Sequence, residues 1–176
     1  PDCPLCIHVV ANADQTRRAR TYRALKMAVG KEAQIVKRPD GKPYLEGKEI
    51  SLAHTGALTV VMVGEHSVGC DVEIVDRRSK QLWNDLLGDD GFKLARVIGT
   101  SVKEDFNVSA TRVWTVLESL KKAGVLQNQP VLFVEQKRDG WVVLKAGDSK
   151  IVSSVIDVEG FKAPLAFSFF AGKEVT

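Results

Sequence analysis

A chain of 176 residues, 44% hydrophobic and 27% charged, has the composition of an ordinary globular domain and is long enough to bury one proper core or two small ones. Its formal net charge of +3 is too weak to argue for nucleic acid, and it suits an acidic partner or a phosphorylated ligand. No apolar run approaches the roughly 18 residues that a membrane span needs, and three cysteines, Cys3, Cys6 and Cys70, argue against a disulfide scaffold and for a reducing compartment.

The opening PDCPLCIHVV lacks the basic segment and the full apolar stretch of a signal peptide. The expected location is therefore the cytoplasm, and Pro1 in place of Met reads as an excised or trimmed domain. Cys3 and Cys6 form a lone C-x-x-C. A zinc site needs two further ligands, which His8, His66 or Cys70 would supply only by an accident of folding. CIHVVAN (6–12) reads as a strand. A helix capped by Asn12 or Asp14 then runs to about Val29, with Tyr22, Leu25 and Val29 at core spacing and Arg17, Arg20 and Arg23 on its polar side. QIVKRPDGKPYL (34–45) has the form of a hairpin around Pro39-Asp40-Gly41. ISLAHTG is a short strand, and LTVVMVG and SVGCDVEIV are two runs that read as a second hairpin turning at Glu65-His66. From 79 to 124 the pattern becomes helical in three segments, with Gly88, Gly99 and Gly124 near their ends and Ser109 as the expected N-cap of the last. The remainder returns to strands, VLFVEQKR, WVVLKAG, KIVSSVIDVEG and PLAFSFFAG, the first pair joined by an Asp139-Gly140 turn. This order predicts an α+β protein, a single domain with one lobe over about 1–75 and a second over about 76–176.

Two stretches carry unusual side chains. In VGCDVEIV, period two puts Gly69, Asp71 and Glu73 on one face and Cys70, Val72 and Ile74 on the core face. Two carboxylates roughly 7 Å apart on a rigid strand, beside a glycine, suit Mg2+, an ion that takes oxygen ligands and bridges carboxylate to phosphate. The plain alternative is a solvated strand face. In TRVWTVLESLKKAG, Val113, Val116, Leu117 and Leu120 form a buried stripe, while Trp114, Glu118 and Lys122 share a second face. Here the plain alternative is a surface Glu–Lys pair one turn apart.

GCDVE (69–73) and WTVLESLKK (114–122), in that order, resemble the two signature blocks of the 4'-phosphopantetheinyl transferase superfamily. A third block, Gly41-Lys42-Pro43 followed by LAHTG (52–56), resembles the Sfp-type members. The wording is most similar to the transferase domains embedded in iterative, enediyne-type polyketide synthases. The resemblance implies the family's fold, two similar α+β lobes with antiparallel sheets packed by helices. It implies transfer of 4'-phosphopantetheine from coenzyme A to a serine of an acyl carrier protein. It further implies Mg2+ on Asp71, Glu73 and Glu118, with Glu118 also a candidate base, and Lys122 on the coenzyme phosphates. His54, helped by Thr55, would meet the 3'-phosphate; Lys42, Pro43 and an upstream arginine such as Arg20 would line the nucleotide site. The implied partners are coenzyme A and an acyl carrier protein, with no nucleic acid and no membrane, the chain being part of a larger synthase. Leu117 stands where the family has Lys, and Ala53 where it has Ser. Other Mg2+-dependent phosphotransfer, or a catalytically silent module that binds coenzyme A or a carrier protein, are the competing classes.

Overall fold

The computed structural model describes residues 5–29, 36–39, 43–125 and 129–172. The protein is a mixed α+β chain built on antiparallel sheets. Strand β1 (Leu5–Ala11), β4 (Glu49–Thr55) and β5 (Leu58–Gly64) form a three-stranded sheet in the order β1-β5-β4. Strands β6 (Val68–Ile74), β7 (Val131–Gln136), β8 (Val142–Ala146), β9 (Ser149–Ile156) and β10 (Leu165–Ala171) form a five-stranded sheet in the order β6-β10-β9-β8-β7. Short β2 (Val36–Lys37) and β3 (Pro43–Tyr44) pair with each other, as the predicted hairpin requires, while its turn residues Asp40 and Gly41 lie outside the described residues. Helix α1 (Arg17–Val29) packs on β1 and β5, and α2 (Lys80–Val102) and α3 (Phe106–Lys122) cover the second sheet. No helix among the described residues is long and apolar enough to cross a membrane.

The predicted hairpin of 58–64 with 68–74 does not form. β5 pairs with β1 and β4, and β6 pairs with β10. The reason lies in β5 itself. All seven of its residues are buried, so it needs neighbours on both edges and cover on both faces, as a central strand has. Val61 and Val63 face α1, while Leu58, Val60 and Met62 face the second sheet. The tight hairpin is instead β4–β5, closed by Gly56 and Ala57 between the paired Thr55 and Leu58, with Gly56 at φ 50.

Three helix details also differ from expectation. Thr16 starts α1, its Oγ1 accepting from the Ala19 N–H at 3.2 Å, while Asn12 Oδ1 accepts from the Asp14 N–H in a turn upstream. Tyr22 is exposed, and the buried positions of α1 are Arg20, Ala24 and Leu25. Asp105 rather than Ser109 caps α3, accepting from the Asn107 N–H at 2.8 Å; Ser109 lies buried inside the helix and donates to the Phe106 carbonyl. The first two predicted helical segments join as α2, broken at Gly88 (φ 65, ψ 173). The Asp139-Gly140 turn does join β7 to β8, with both residues at positive φ.

The strongest packing constraint is at Gly69. A Cβ built there would stand 1.9 Å from the Ser119 carbonyl oxygen and 3.1 Å from the Ala123 Cβ. Helix α3 therefore lies directly on the backbone of β6. Small polar side chains complete the seam: Thr115 Oγ1 and Ser168 Oγ are 2.7 Å apart, and Ser119 Oγ donates to the Ser168 carbonyl at 3.1 Å. Gly69→Ala must push the helix off the strand, since backbone cannot yield as a side chain does. The expected loss is about 3 kcal/mol, the upper part of the range for overpacking, read as a lowered urea midpoint.

Candidate functional site

β4 is one edge of the first sheet and β6 one edge of the second, and these two edges lie side by side. Edge strands carry backbone groups that no neighbouring strand pairs. Here side chains take them. The Cys70 N–H donates to Ser51 Oγ at 2.9 Å, and the Cys70 carbonyl accepts from Lys122 Nζ at 3.0 Å. Lys122 is the last residue of α3, so the helix C-terminus is tied to the edge of β6.

The same ammonium lies 2.7 Å from Asp71 Oδ1. Period two holds along β6: Val68, Cys70 and Val72 enter the core between the sheets, and Gly69, Asp71 and Glu73 turn toward α3, with Ile74 exposed at the strand end. The Asp71 side chain is only 10% exposed, and its Oδ2 is buried with no hydrogen-bond partner among the described residues. Burial pushes the Asp71 carboxyl above its usual value, against the pull of Lys122 and with help from the charge of Glu118. Burial also raises Glu73, and the charge of Asp71 adds to it. Glu118 is more solvent-accessible than Asp71, at 26%, and lies beside Lys121 at 3.5 Å. Sequence blocks some 50 residues apart thus meet in one charge cluster.

His54 joins it from β4. Burial drives its pKa down to about 4, and the positive charges of Arg17, Lys122 and Arg20 add to the effect. His54 Nδ1 is 3.0 Å from Thr59 Oγ1, and Thr59 in turn accepts from Arg20 Nε–H at 3.4 Å. The Thr59 proton is thus available to Nδ1, and in that tautomer the proton of the neutral imidazole is on Nε2. Arg20 is buried. Its guanidinium donates to the carbonyls of Asn12, Gln15 and Gly56, so its first task is to hold the α1 entry and the β4–β5 turn together. Arg17 is exposed, and it is the arginine whose charge acts most on His54. Thr55, also buried, follows His54 on the strand and so faces the other side of the sheet. Pro43 lies in β3, and Lys42 falls outside the described residues.

Three features of this region are almost silent in the sequence. Arg78 stacks on Trp83 at 4.9 Å, and its charge acts on Glu73. Asn107 Oδ1 accepts from both the Arg78 N–H and the Trp83 Nε1–H, fixing that segment. Ser51 holds the β6 edge. The only available signal was the Arg77-Arg78 pair following DVEIVD. Leu117 is part of the α2–α3 packing, near Gly91, and Ala53 lies in the core between the sheets. An apolar groove of about 450 Å3, lined by Leu5, Ile7, Trp141 and Phe169 among others, shares no residue with the cluster.

Whether Mg2+ suits this place turns on the donors. Among the described residues, no three His, Cys, Asp or Glu side chains close into a group that could hold a metal ion. Lys122 instead neutralises Asp71. The chemistry of the donors still fits a hard cation: three carboxylates whose charges act on one another, one of them carrying the buried, unsatisfied Oδ2.

Comparison of the chain with known family models gives no match, and comparison with curated proteins gives none either.

The state of His54 has a measurable consequence. Its folded pKa, about 4, lies below the ordinary 6.5. Between those values the unfolded chain binds more protons, so stability rises with pH. This contribution is fully present above about pH 6.5 and is lost as pH falls toward 4. Asp71 and Glu73, raised by burial, act with the opposite sign as they protonate. The wild type minus His54→Gln difference isolates the histidine: thermal melts from pH 7 to pH 4 should show a steeper decline for the wild type. Parallel curves would exclude a half-buried neutral His54. In the same assay Arg20→Met, which strands three carbonyls, should lose several kcal/mol at roughly 1–3 kcal/mol per unsatisfied group, whereas Arg17→Ala should melt as the wild type does.

Proposed function

We propose that the chain is a 4'-phosphopantetheinyl transferase of the two-lobed α+β type, moving 4'-phosphopantetheine from coenzyme A to a serine hydroxyl of an acyl carrier protein and releasing 3',5'-ADP. One observation carries the reading. Lys122 at the end of α3 lies 2.7 Å from Asp71 on β6, the charges of Glu118 and Lys122 act on both Asp71 and Glu73, and the charge of Lys122 also reaches His54 on β4, across the meeting edges of two sheets. Those are the residues on which the resemblance rests, and nothing in their separate sequence neighbourhoods requires them to meet.

Each residue has a task that its surroundings suit. Lys122 brings a point charge that can move to a phosphate oxygen on a flexible stem. Neutral His54, its Nδ1 held by Thr59, offers Nε2–H to a phosphate without bringing a buried charge. Arg17 adds positive charge from the exposed start of α1. Glu118, more accessible than Asp71, can take the proton of an incoming serine hydroxyl. Asp71, Glu73 and Glu118 would hold Mg2+, which when bound neutralises pyrophosphate charge that would repel the nucleophile. The net charge of +3 favours approach of an acidic carrier protein.

Incubation with coenzyme A, Mg2+ and a panel of apo carrier proteins should add one phosphopantetheine mass to at least one carrier. No gain on any carrier, together with no binding of coenzyme A, would reject the proposal. Binding without transfer would instead identify a silent coenzyme A-binding module. Asp71→Asn keeps the side chain's shape and removes its charge. It should lower the rate by roughly 10²-fold or more, the scale of losing one transition-state contact, with an unchanged circular dichroism spectrum. Near-normal turnover at saturating Mg2+ would remove Asp71 from the site.

A further inference from the structure

We propose that the apolar groove between β1 and the second sheet is a binding site for a linear aliphatic carboxylate, its chain lying across Ile7 and Phe169 and its carboxylate on Lys150. The inference goes beyond the transferase reading and does not rest on it, since the groove shares no residue with the charge cluster.

The groove follows from the way the sheets meet. They close where β4 lies beside β6. On the far side of β5, the faces of β1 and β5 stand over β9 and β10 with space between them. Period two along β1 sends Val10 to α1 and leaves Leu5, Ile7 and Val9 on the other face. Ile7 is 41% and Val9 47% exposed there. The opposite wall includes Val152, Phe169 and Trp141, the last two with ring centroids 6.4 Å apart. The space of about 450 Å3 between the walls is that of a small-molecule site.

The polar groups decide the occupant. Among the described residues, the lining side chains carry two hydrogen-bond donors, the Lys150 ammonium and the Trp141 indole N–H, and no oxygen. An anionic head on an aliphatic chain fits such a set. A peptide does not, because its N–H groups would be buried without acceptors at about 1–3 kcal/mol each. Lys150 is also poorly placed for stability alone. On β9 it lies directly opposite Lys145 of β8, so both lysines stand on the same face of the sheet. Like charges directly opposite one another destabilise a sheet. Both are exposed, and neither has a salt-bridge partner among the described residues. A carboxylate on Lys150 relieves that repulsion, and the attached chain removes the Ile7 and Trp141 side chains from water.

The test is calorimetric titration of the whole chain with decanoate below its micelle concentration, and separately with decanol, the uncharged chain of the same length. Decanoate should saturate one site. Ile7→Gln, a change at an exposed position, should abolish binding of both probes. Lys150→Met should weaken decanoate about tenfold, the low end for a hydrogen bond to a charged group, and leave decanol no weaker. Absence of saturable decanoate binding overturns the inference, and so does binding that neither variant changes. Equal loss of both probes in Lys150→Met overturns the assigned head group. Binding of an acidic, leucine-rich peptide without binding of decanoate overturns it in favour of a protein partner, and a dimer in sedimentation that decanoate does not dissociate overturns it in favour of a second copy of the chain. If Lys150→Met is not folded by circular dichroism, the wild type decides the matter by salt dependence: added salt should weaken decanoate and not decanol, and equal behaviour of the two overturns the contact with Lys150.

Discussion

Everything at the candidate site depends on the contact of α3 with the bare backbone of β6 at Gly69. Because no Cβ intervenes, the helix axis comes close enough for Ser119 and Ala123 to sit on the strand. That closeness sets the height of the helix above the sheet, and so the reach of Glu118 and Lys122. A helix held off by one methyl layer would leave Lys122 short of both Asp71 and the Cys70 carbonyl. The small hydroxyl residues along the same seam serve the same end. They fill narrow space while satisfying one another, where larger apolar side chains would wedge the layers apart.

The price of that closeness is a set of charges removed from water. Asp71 is held in a place that favours its neutral form, and a single lysine keeps that cost down. A second buried ion pair, Arg112 with Glu104 at 2.8 Å, behaves differently. Both Glu104 oxygens receive hydrogen bonds from Arg112, which also reaches Ser153. That pair is closed on itself, a clasp between α3 and the connection that precedes it. The Asp71 pair leaves one oxygen unsatisfied, and an unsatisfied buried polar atom is the usual mark of a place arranged for something other than stability.

How far the sequence speaks depends on how local the signal is. The period of two in GCDVE, the apolar stripe of α3 and the Asp139-Gly140 turn are set within a few residues, and the structure carries all three. The α+β class follows from the order of such segments. The pairing of β5 was not readable, because adjacency in sequence suggests a hairpin while burial on both faces demands a central strand. Arg20 looked like one of three solvated arginines at helical spacing. Only the fold brings the Asn12, Gln15 and Gly56 carbonyls around it. The roles of Asn107 and Ser51 were equally hidden, since each depends on a partner about 20 or more residues away.

The position of β10 has a consequence for the order in which this protein can form. β6 carries Asp71 and Glu73, yet its one sheet neighbour is β10, at the far end of the described chain. The three-stranded sheet with α1 can pair as soon as residue 64 is available, because β1, β4 and β5 are close in sequence. β6 must wait for some ninety further residues to be made before Phe167 and Ser168 reach Val72 and Asp71. At a ribosomal rate of about 5–20 residues per second, that is several seconds with an acidic strand lacking its sheet partner. Such long-range pairing is slow to nucleate. The carboxylates on this strand discourage unwanted edge-to-edge association during the wait, so the residues assigned to chemistry in the finished molecule also protect the unfinished one.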